Sequence, residues 1–245
     1  MAKRKGVAYI GTSGWHYKHW KGPFYPEGLK ESEQLTYFVT KIPTVELNNS
    51  FYRLPSSETF SNWYRAVPAH FKFAVKGSRF ITHLKKLKVQ KEVVDEFIEH
   101  AGHLKDKLGP ILFQLPPKWN INEQRLIDFL KLLPKDHRFT FEFRDGSWYE
   151  DRIYHILEKA NCAFCIYELA GHQSPIIVTA DFVYIRLHGP GAKYQGNYTD
   201  EQLRKWVDRC QEWQNEGRDV YVYFDNDQSG FAALNAQSMQ KMLTE

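Results

Sequence analysis

Eight short apolar runs punctuate the chain: Val7–Gly11, Thr44–Asn48, Phe71–Lys76, Ile111–Leu115, Phe139–Arg144, Ala163–Tyr167, Phe182–His188 and Asp219–Asp225. Most are followed by apolar positions at helical spacing, which predicts βαβ units and a parallel sheet. The helices carry start and stop signals. Thr199-Asp200-Glu201-Gln202 reads as a capping box ahead of Leu203, Trp206, Val207 and Cys210. Asn122 precedes Leu126, Ile127, Phe129 and Leu130, and Pro134 stops that pattern. Ser56 opens a helix carrying Phe60, Trp63 and Tyr64 that ends before Pro68. Val89 to Leu108 reads as a long amphipathic stretch, and Phe231–Leu243 as the closing helix. Between Tyr167 and Phe182 there is only the short stretch Glu168–Asp181, with Gly171, Pro175 and an apolar Ile176-Ile177-Val178, so the helix after strand six is expected to be missing or reduced.

Eight such units in 245 residues predict an α/β fold, a single (β/α)8 TIM-type barrel spanning 1–245 without linkers. An open doubly wound sheet would more often carry a glycine-rich phosphate turn. Gly11-Thr12-Ser13-Gly14 lacks the third glycine at the expected spacing.

Strand side chains alternate faces. Phe139, Phe141 and Phe143 oppose Thr140, Glu142 and Arg144; Val183, Ile185 and Leu187 oppose Tyr184, Arg186 and His188. The apolar face must meet the helices, so the polar face points into the barrel. That interior then holds Glu46, Asn48, Lys76, Gln114, Glu142, Arg144, Arg186, His188, Tyr223 and Asp225. They gather at strand C-termini, where barrel active sites lie.

Composition narrows the function. Thirty-three Lys+Arg against 29 Asp+Glu leave +4, too little to announce a nucleic-acid protein, so a nucleic-acid partner is not expected. No apolar stretch is long enough for a membrane span. The N-terminus, Met1-Ala2-Lys3-Arg4-Lys5, runs straight into a strand, so no secretory signal is expected. Three cysteines, Cys162, Cys165 and Cys210, fit a reducing cytoplasm rather than a disulfide framework. Cys162 and Cys165 form a C-x-x-C within a strand, which turns them to opposite faces and argues against a shared site. Oligomeric state is not legible.

Several chemistries suit the polar set. Glu46 and Glu142, on strands two and five, can work as acid and base or as ligands, with His188 assisting. Glu46, Glu142, His188 and Asp225 offer ligands to a divalent metal, although no metal-binding spacing is present and no cofactor is predicted. Arg144 and Arg186 suggest an anionic substrate, with Lys76 and Arg53 adding charge. His83 is a second acid/base candidate. Trp15, Tyr17, Trp20, Phe24, Tyr25, Phe51, Tyr52, Trp119 and Trp148 form an aromatic lip suited to a sugar or base ring. The expected substrate-binding set is Trp15, Asn48, Tyr52, Lys76, Gln114, Arg144, Arg186, Tyr223, Asp225 and Asn226. Together these point to a hydrolase- or isomerase-type enzyme for a small anionic or carbohydrate-like substrate. A ligand-binding or nucleic-acid-associated barrel without chemistry is the alternative. The same charges, three bases (Lys76, Arg144, Arg186) and three acids (Glu46, Glu142, Asp225), can also neutralise one another as a structural network.

The motifs themselves resemble a known family. Gly11-Thr12-Ser13-Gly14-Trp15, Trp20-Lys21-Gly22-Pro23-Phe24-Tyr25-Pro26 and Glu46-Leu47-Asn48-Asn49-Ser50-Phe51-Tyr52-Arg53 resemble the YecE-like proteins, domain-of-unknown-function family seventy-two. Thr82-His83, Phe113-Gln114-Leu115-Pro116-Pro117, Glu142-Phe143-Arg144 with Ser147-Trp148, Arg186-Leu187-His188-Gly189 and Tyr223-Phe224-Asp225-Asn226-Asp227 continue the likeness in order. The resemblance implies a TIM-type barrel and no particular reaction. Two departures stand out: Asp145-Gly146 where the family more often has a His-Pro pair, and Asp225 where it usually has a second asparagine.

Overall fold

A computed structural model describes residues 4–245; Met1, Ala2 and Lys3 of the basic N-terminus lie outside the described residues. The strands are β1 Ala8–Ser13, β2 Thr44–Leu47, β3 Lys72–Lys76, β4 Leu108–Gln114, β5 Phe139–Glu142, β6 Ala163–Leu169, β7 His172–Gln173, β8 Phe182–Leu187 and β9 Asp219–Phe224. The helices are α1 Gln34–Phe38, α2 Asn49–Tyr52, α3 Ser57–Ala66, α4 Lys91–Gly102, α5 Glu123–Leu130, α6 Asp151–Lys159, α7 Asp200–Asn215 and α8 Phe231–Thr244. The sheet order is β5-β4-β3-β2-β1-β9-β8-β6-β7, and β5 also pairs with β6. That last pairing closes eight parallel strands into a barrel. The ninth, β7, is a two-residue antiparallel flap on β6.

The expected caps are in place. The side-chain oxygens of Ser56, Asn122 and Thr199 accept from the amides of Thr59, Arg125 and Gln202, and Gln202 answers Thr199 to complete the box. Strand four starts earlier than the pattern suggested, at Leu108, which pairs with Phe73. Correspondingly α4 stops at Gly102, and a 3-10 turn at Lys105–Lys107 ends the long amphipathic stretch.

Strand six is followed by no helix. Ser174 and Thr179 take over part of the covering role. The Ser174 hydroxyl accepts from the Tyr167 amide at 2.9 Å. The Thr179 hydroxyl accepts from Phe164 at 2.8 Å and donates to the Cys162 carbonyl at 2.7 Å. These hydroxyls satisfy buried backbone groups that would otherwise be costly.

Outward-facing Phe73, Val75, Phe113, Phe141 and Leu187 pack under the helices in one continuous core. The interior holds a separate cluster that includes Ala74, Leu112, Cys165, Tyr184, Tyr221 and Tyr223. At the N-terminal end Tyr9 stacks on Tyr221 at 4.9 Å, and Asp219 joins Arg4 to Arg138. The charged layer lies at the other end, above Tyr184 and Tyr223, because β2, β5 and β8 each turn their last inward residue into the barrel: Glu46, Glu142 and Arg186.

Candidate functional site

Arg186 is the hub of that layer. Its Nε donates to Glu46 Oε2 at 2.9 Å and its Nη2 to Glu46 Oε1 at 2.7 Å. Nη1 donates to Glu142 Oε2 at 2.8 Å and faces His188 Nε2 at 3.3 Å. Nη2 also reaches Asp225 Oδ2 and the Ser13 hydroxyl, both at 3.2 Å. A guanidinium has five N–H donors, so none is left for a substrate anion.

Glu46 is equally occupied. Besides Arg186 it accepts from the hydroxyls of Ser13 at 2.5 Å and Tyr184 at 2.6 Å. Glu142 is held by Arg186 and by Arg144 Nε. Burial pushes its carboxyl up, but the charges of Arg144 and Arg186 outweigh that and hold it well below the usual carboxylate range. Both glutamates are fully buried. They are struts of the floor and do not line the cavity above it.

His188 has the same character. Its Nδ1 meets Asp225 Oδ2 at 2.8 Å, while Nε2 meets Arg144 Nη2 at 2.9 Å. Guanidinium N–H groups only donate, so Nε2 must accept and Nδ1 must carry the proton. Burial and the Arg186 charge pull its pKa below 6.5 despite Asp225, so the ring is neutral at neutral pH. His188 is thereby a positioning residue, set between Asp225 and the two arginines.

A metal reading of this set fails on the same geometry. Glu46, Glu142, His188 and Asp225 aim their lone pairs at Arg186, Arg144 and Ser13. Among the described residues no three His, Cys, Asp or Glu side chains are grouped to hold a metal ion. Cys162 and Cys165 stay separate free thiols; burial pushes the Cys162 thiol up to about 12.

Above the floor lies a cavity of about 300 Å³, lined by Tyr17, Asn48, Phe51, Tyr52, Lys76, Arg186, Tyr194, Asp225 and Asp227. Another cavity, about 380 Å³, sits at the N-terminal end among Arg4, Lys72, Arg138 and Asp219. The mouth is the better candidate although it is smaller. It carries the unpaired groups, and barrel sites open at the strands' C-terminal ends.

Lys76, from the end of β3, lies over the Phe51 ring with Nζ 4.6 Å from its centre. Among the described residues no carboxylate stands within ion-pair distance of it, unlike Arg144 and Arg186. Burial and the nearby Arg186 charge lower its pKa to about 8, against the pull of Glu46, Glu142 and Asp225. Asp227 moves the other way: burial and the Asp225 charge raise it. Asn48 donates to the Ser13 hydroxyl at 2.5 Å, and its buried Oδ1 has no hydrogen-bond partner among the described residues. His83 packs its ring edge-on against Phe51, and burial with the Lys76 charge lowers it to about 4.

The remaining expected residues divide. Asn48, Tyr52, Lys76, Arg186 and Asp225 meet at the cavity. Arg144 borders it through His188, its guanidinium over the Tyr167 ring. Tyr223 lies one layer down, bonded to the Thr44 hydroxyl at 2.8 Å. Gln114 turns to the Leu115 carbonyl. Trp15 packs edge-on against Trp63. Asn226 is buried and ties the Gly196 carbonyl to Asn235. Arg53 lies outside the mouth, lining a separate surface depression with Pro55 and His100.

The aromatic lip is smaller than expected. Trp20, Tyr25 and Trp148 are fully buried, and Phe24 and Trp119 nearly so, because the loops after β1, β4 and β5 fold down onto the helix layer. Trp148 donates to the Trp119 carbonyl at 2.6 Å, and Tyr25 to that of Trp15 at 2.5 Å. Tyr17, Phe51 and Tyr52 remain at the cavity, joined by Tyr194. Tyr194 arrives on the loop after β8, which bends at Gly189. That residue has φ +116, and a Cβ there would stand 2.2 Å from the Gln195 carbonyl oxygen. Nothing in the sequence pattern marked this tyrosine. Ser13 and Tyr184 are likewise partners that sequence reasoning did not single out.

Comparison with known proteins supports the motif likeness. The family model described as "Protein of unknown function DUF72" matches residues 9–245. The UPF0759 protein YunF of Bacillus subtilis is 25% identical over 270 residues, 97% of this chain and 95% of the relative. The UPF0759 protein YecE of Escherichia coli is 26% identical over 144 residues, 58% of this chain and 50% of its own. Among solved structures, a DUF72 family protein of Thermotoga maritima superposes with a TM-score of 0.87 at 30% identity, covering 98% of this chain and 100% of its own. A putative vitamin-B12-independent methionine synthase of Listeria monocytogenes, at 10% identity and a TM-score of 0.56, shares the fold alone. With the family model matched across the barrel from β1 to α8, the chain belongs to the DUF72 family.

Proposed function

We propose that this protein is an enzyme that moves protons on a small anionic or carbohydrate-like substrate held in the C-terminal mouth, by isomerase- or hydrolase-type chemistry. The observation that carries this reading is one cavity lined by both Lys76 and Asp227, a base pulled down and an acid pushed up. Groups shifted toward neutrality from opposite sides are suited to take and return a proton at working pH. Lys76, protonated, is also the cation best able to meet a substrate anion, since Arg186 is fully engaged. Asn48 Oδ1 is poised to accept a substrate hydroxyl, and Phe51, Tyr52 and Tyr194 offer flat walls to a sugar-like body. Glu46, Glu142, His188 and Arg144 keep the floor in register. The described residues contain no helix long and apolar enough to cross a membrane. Three buried free thiols support a reducing, cytoplasmic setting.

The test is a thermal-shift series with ribose 5-phosphate, ribose and inorganic phosphate, followed by NMR in D2O for deuterium entering carbon-bound positions of the sugar. Stabilisation by the phosphorylated sugar, lost in Lys76→Met, together with exchange lost in Asp227→Asn, is expected. No shift with any probe, or a shift unchanged in Lys76→Met, would overturn the reading.

A further inference from the structure

We infer that Lys76 is a covalent catalyst, forming an imine with the carbonyl carbon of a small aldehyde or ketone substrate. The inference rests on the mouth being a substrate site and goes further by naming the substrate's reactive group. Three features of the geometry carry it. First, Lys76 Nζ reaches the cavity and makes no hydrogen bond or ion pair among the described residues, while every other cation of the floor is tied to a carboxylate. A lysine kept only for structure would be expected to pair with Asp225, which shares the cavity. Asp225 is spoken for by His188 at 2.8 Å and Arg186 at 3.2 Å. Second, its neighbours favour the neutral amine. Burial strips water from the ammonium and Arg186 sets a fixed positive charge nearby, the two settings that activate a nucleophilic lysine. With a pKa of about 8, roughly a fifth of the amine is neutral at pH 7.4, against about a thousandth for an exposed lysine. Third, the same cavity supplies the proton carrier. Asp227 is half-buried and raised, and lies beside the opening rather than in the ionised floor.

The step balances within the site. The neutral Lys76 amine attacks the carbonyl carbon, forming a C–N bond as the C=O π pair moves to oxygen, and Asp227 relays one proton from the nitrogen to that oxygen. The protonated Asp227 carboxyl then gives its proton to the carbinolamine hydroxyl, which leaves as water while the nitrogen lone pair forms the C=N bond. Amine, carbonyl and the Asp227 proton become a protonated imine, water and the Asp227 carboxylate, with no oxidant or reductant. Ionised Asp225 then faces the protonated imine with opposite charge. Such an imine acidifies the adjacent C–H, which is the proton transfer proposed for this site.

The test is reductive trapping. The full chain is incubated at pH 7.4 with glycolaldehyde, dihydroxyacetone or pyruvate, sodium borohydride is added, and adducts are located by peptide mass spectrometry. Lys76 is expected to be modified at least tenfold faster than exposed lysines such as Lys91. The Lys76 adduct should be absent in Lys76→Arg at unchanged thermal stability. In Asp227→Asn its formation should slow several-fold at pH 7.4. Scattered adducts with no preference for Lys76 would overturn the covalent role. A thermal shift by ribose 5-phosphate with no Lys76 adduct would overturn this inference alone. Absence of both would overturn it together with the mouth as a substrate site.

Discussion

Arg186 and Glu46 are joined twice, Nε to Oε2 at 2.9 Å and Nη2 to Oε1 at 2.7 Å, across 140 residues of chain and with both side chains buried. The same guanidinium also holds Glu142 and Asp225, so it compensates three carboxylates. Removing it takes the only arginine partner among the described residues from buried Glu46 and from Asp225 and leaves Glu142 with Arg144 alone, whereas removing Glu46 leaves a cation that keeps two partners. Breaking a buried pair costs about 3–5 kcal/mol. Glu46→Gln is therefore expected at or below that range and Arg186→Met above it. Urea unfolding of the two variants checks the order; equal losses, or the reverse order, would contradict the hub.

Acid should undo the floor in two stages. His188 has a folded pKa below 6.5, so the unfolded chain binds its proton first and stability falls as pH drops below about 6.5. Glu142 and Asp225 are also lowered, so a further loss begins near the ordinary carboxylate range, around pH 4. Stability contributed by all three is fully present above these unfolded values. Melting temperature followed from pH 7.5 to 3.5 should show both declines, and His188→Gln should show a smaller first one, the remainder coming from His83, whose pKa is lowered to about 4. An identical profile in that variant would remove His188 from the account.

Thr179 substitutes for structure that a helix would otherwise supply. Its hydroxyl accepts from Phe164 and donates to the Cys162 carbonyl, beside β5 and β6, where only two residue pairs are in register. Thr179→Val keeps the shape and orphans both backbone groups. A loss of about 1–3 kcal/mol per buried unsatisfied group is expected in chemical unfolding. A loss below half that for the variant would mean that another partner can reach the gap.

The barrel was legible because each strand's alternation and each helix's cap are local properties. Eight runs, the caps at Ser56, Asn122 and Thr199, and the missing sixth helix could all be read one segment at a time. The polar end of the barrel was legible for the same reason: period two places Glu46, Glu142 and Arg186 inward. What could not be read is who pairs with whom. Arg186 looked like an anion receptor, yet three strands bring three carboxylates to its fork. Lys76 looked like its equal, yet it is the cation left without a partner. Trp20, Tyr25 and Trp148 looked like a lip because loop residues follow no period, and only the fold shows those loops turning onto the helices. Asp227 and Tyr194 come to the mouth on loops and were missed as site residues for that reason.

Asn226 tests whether the mouth depends on its loop. It is fully buried, and its Nδ2 donates to the Gly196 carbonyl at 2.8 Å and to Asn235 Oδ1 at 2.9 Å. Asn235 in turn holds Asn197 at 2.7 Å and the Tyr198 amide at 3.3 Å. This short chain of amides fixes the far end of the loop that carries Tyr194, while Gly189 fixes the near end. Asn226→Ala breaks the tether without touching the floor, since none of the groups paired to Arg186 lies on it. Amide hydrogen exchange should therefore quicken at least tenfold over residues 190–197, while β8 and β9 keep their protection. Any ligand that stabilises the mouth through Tyr194 should bind the variant more weakly at nearly unchanged unfolding midpoint. Faster exchange across the whole barrel would make Asn226 a general support of the fold, and unchanged exchange in the loop would show that Gly189 and Tyr198 suffice to hold it.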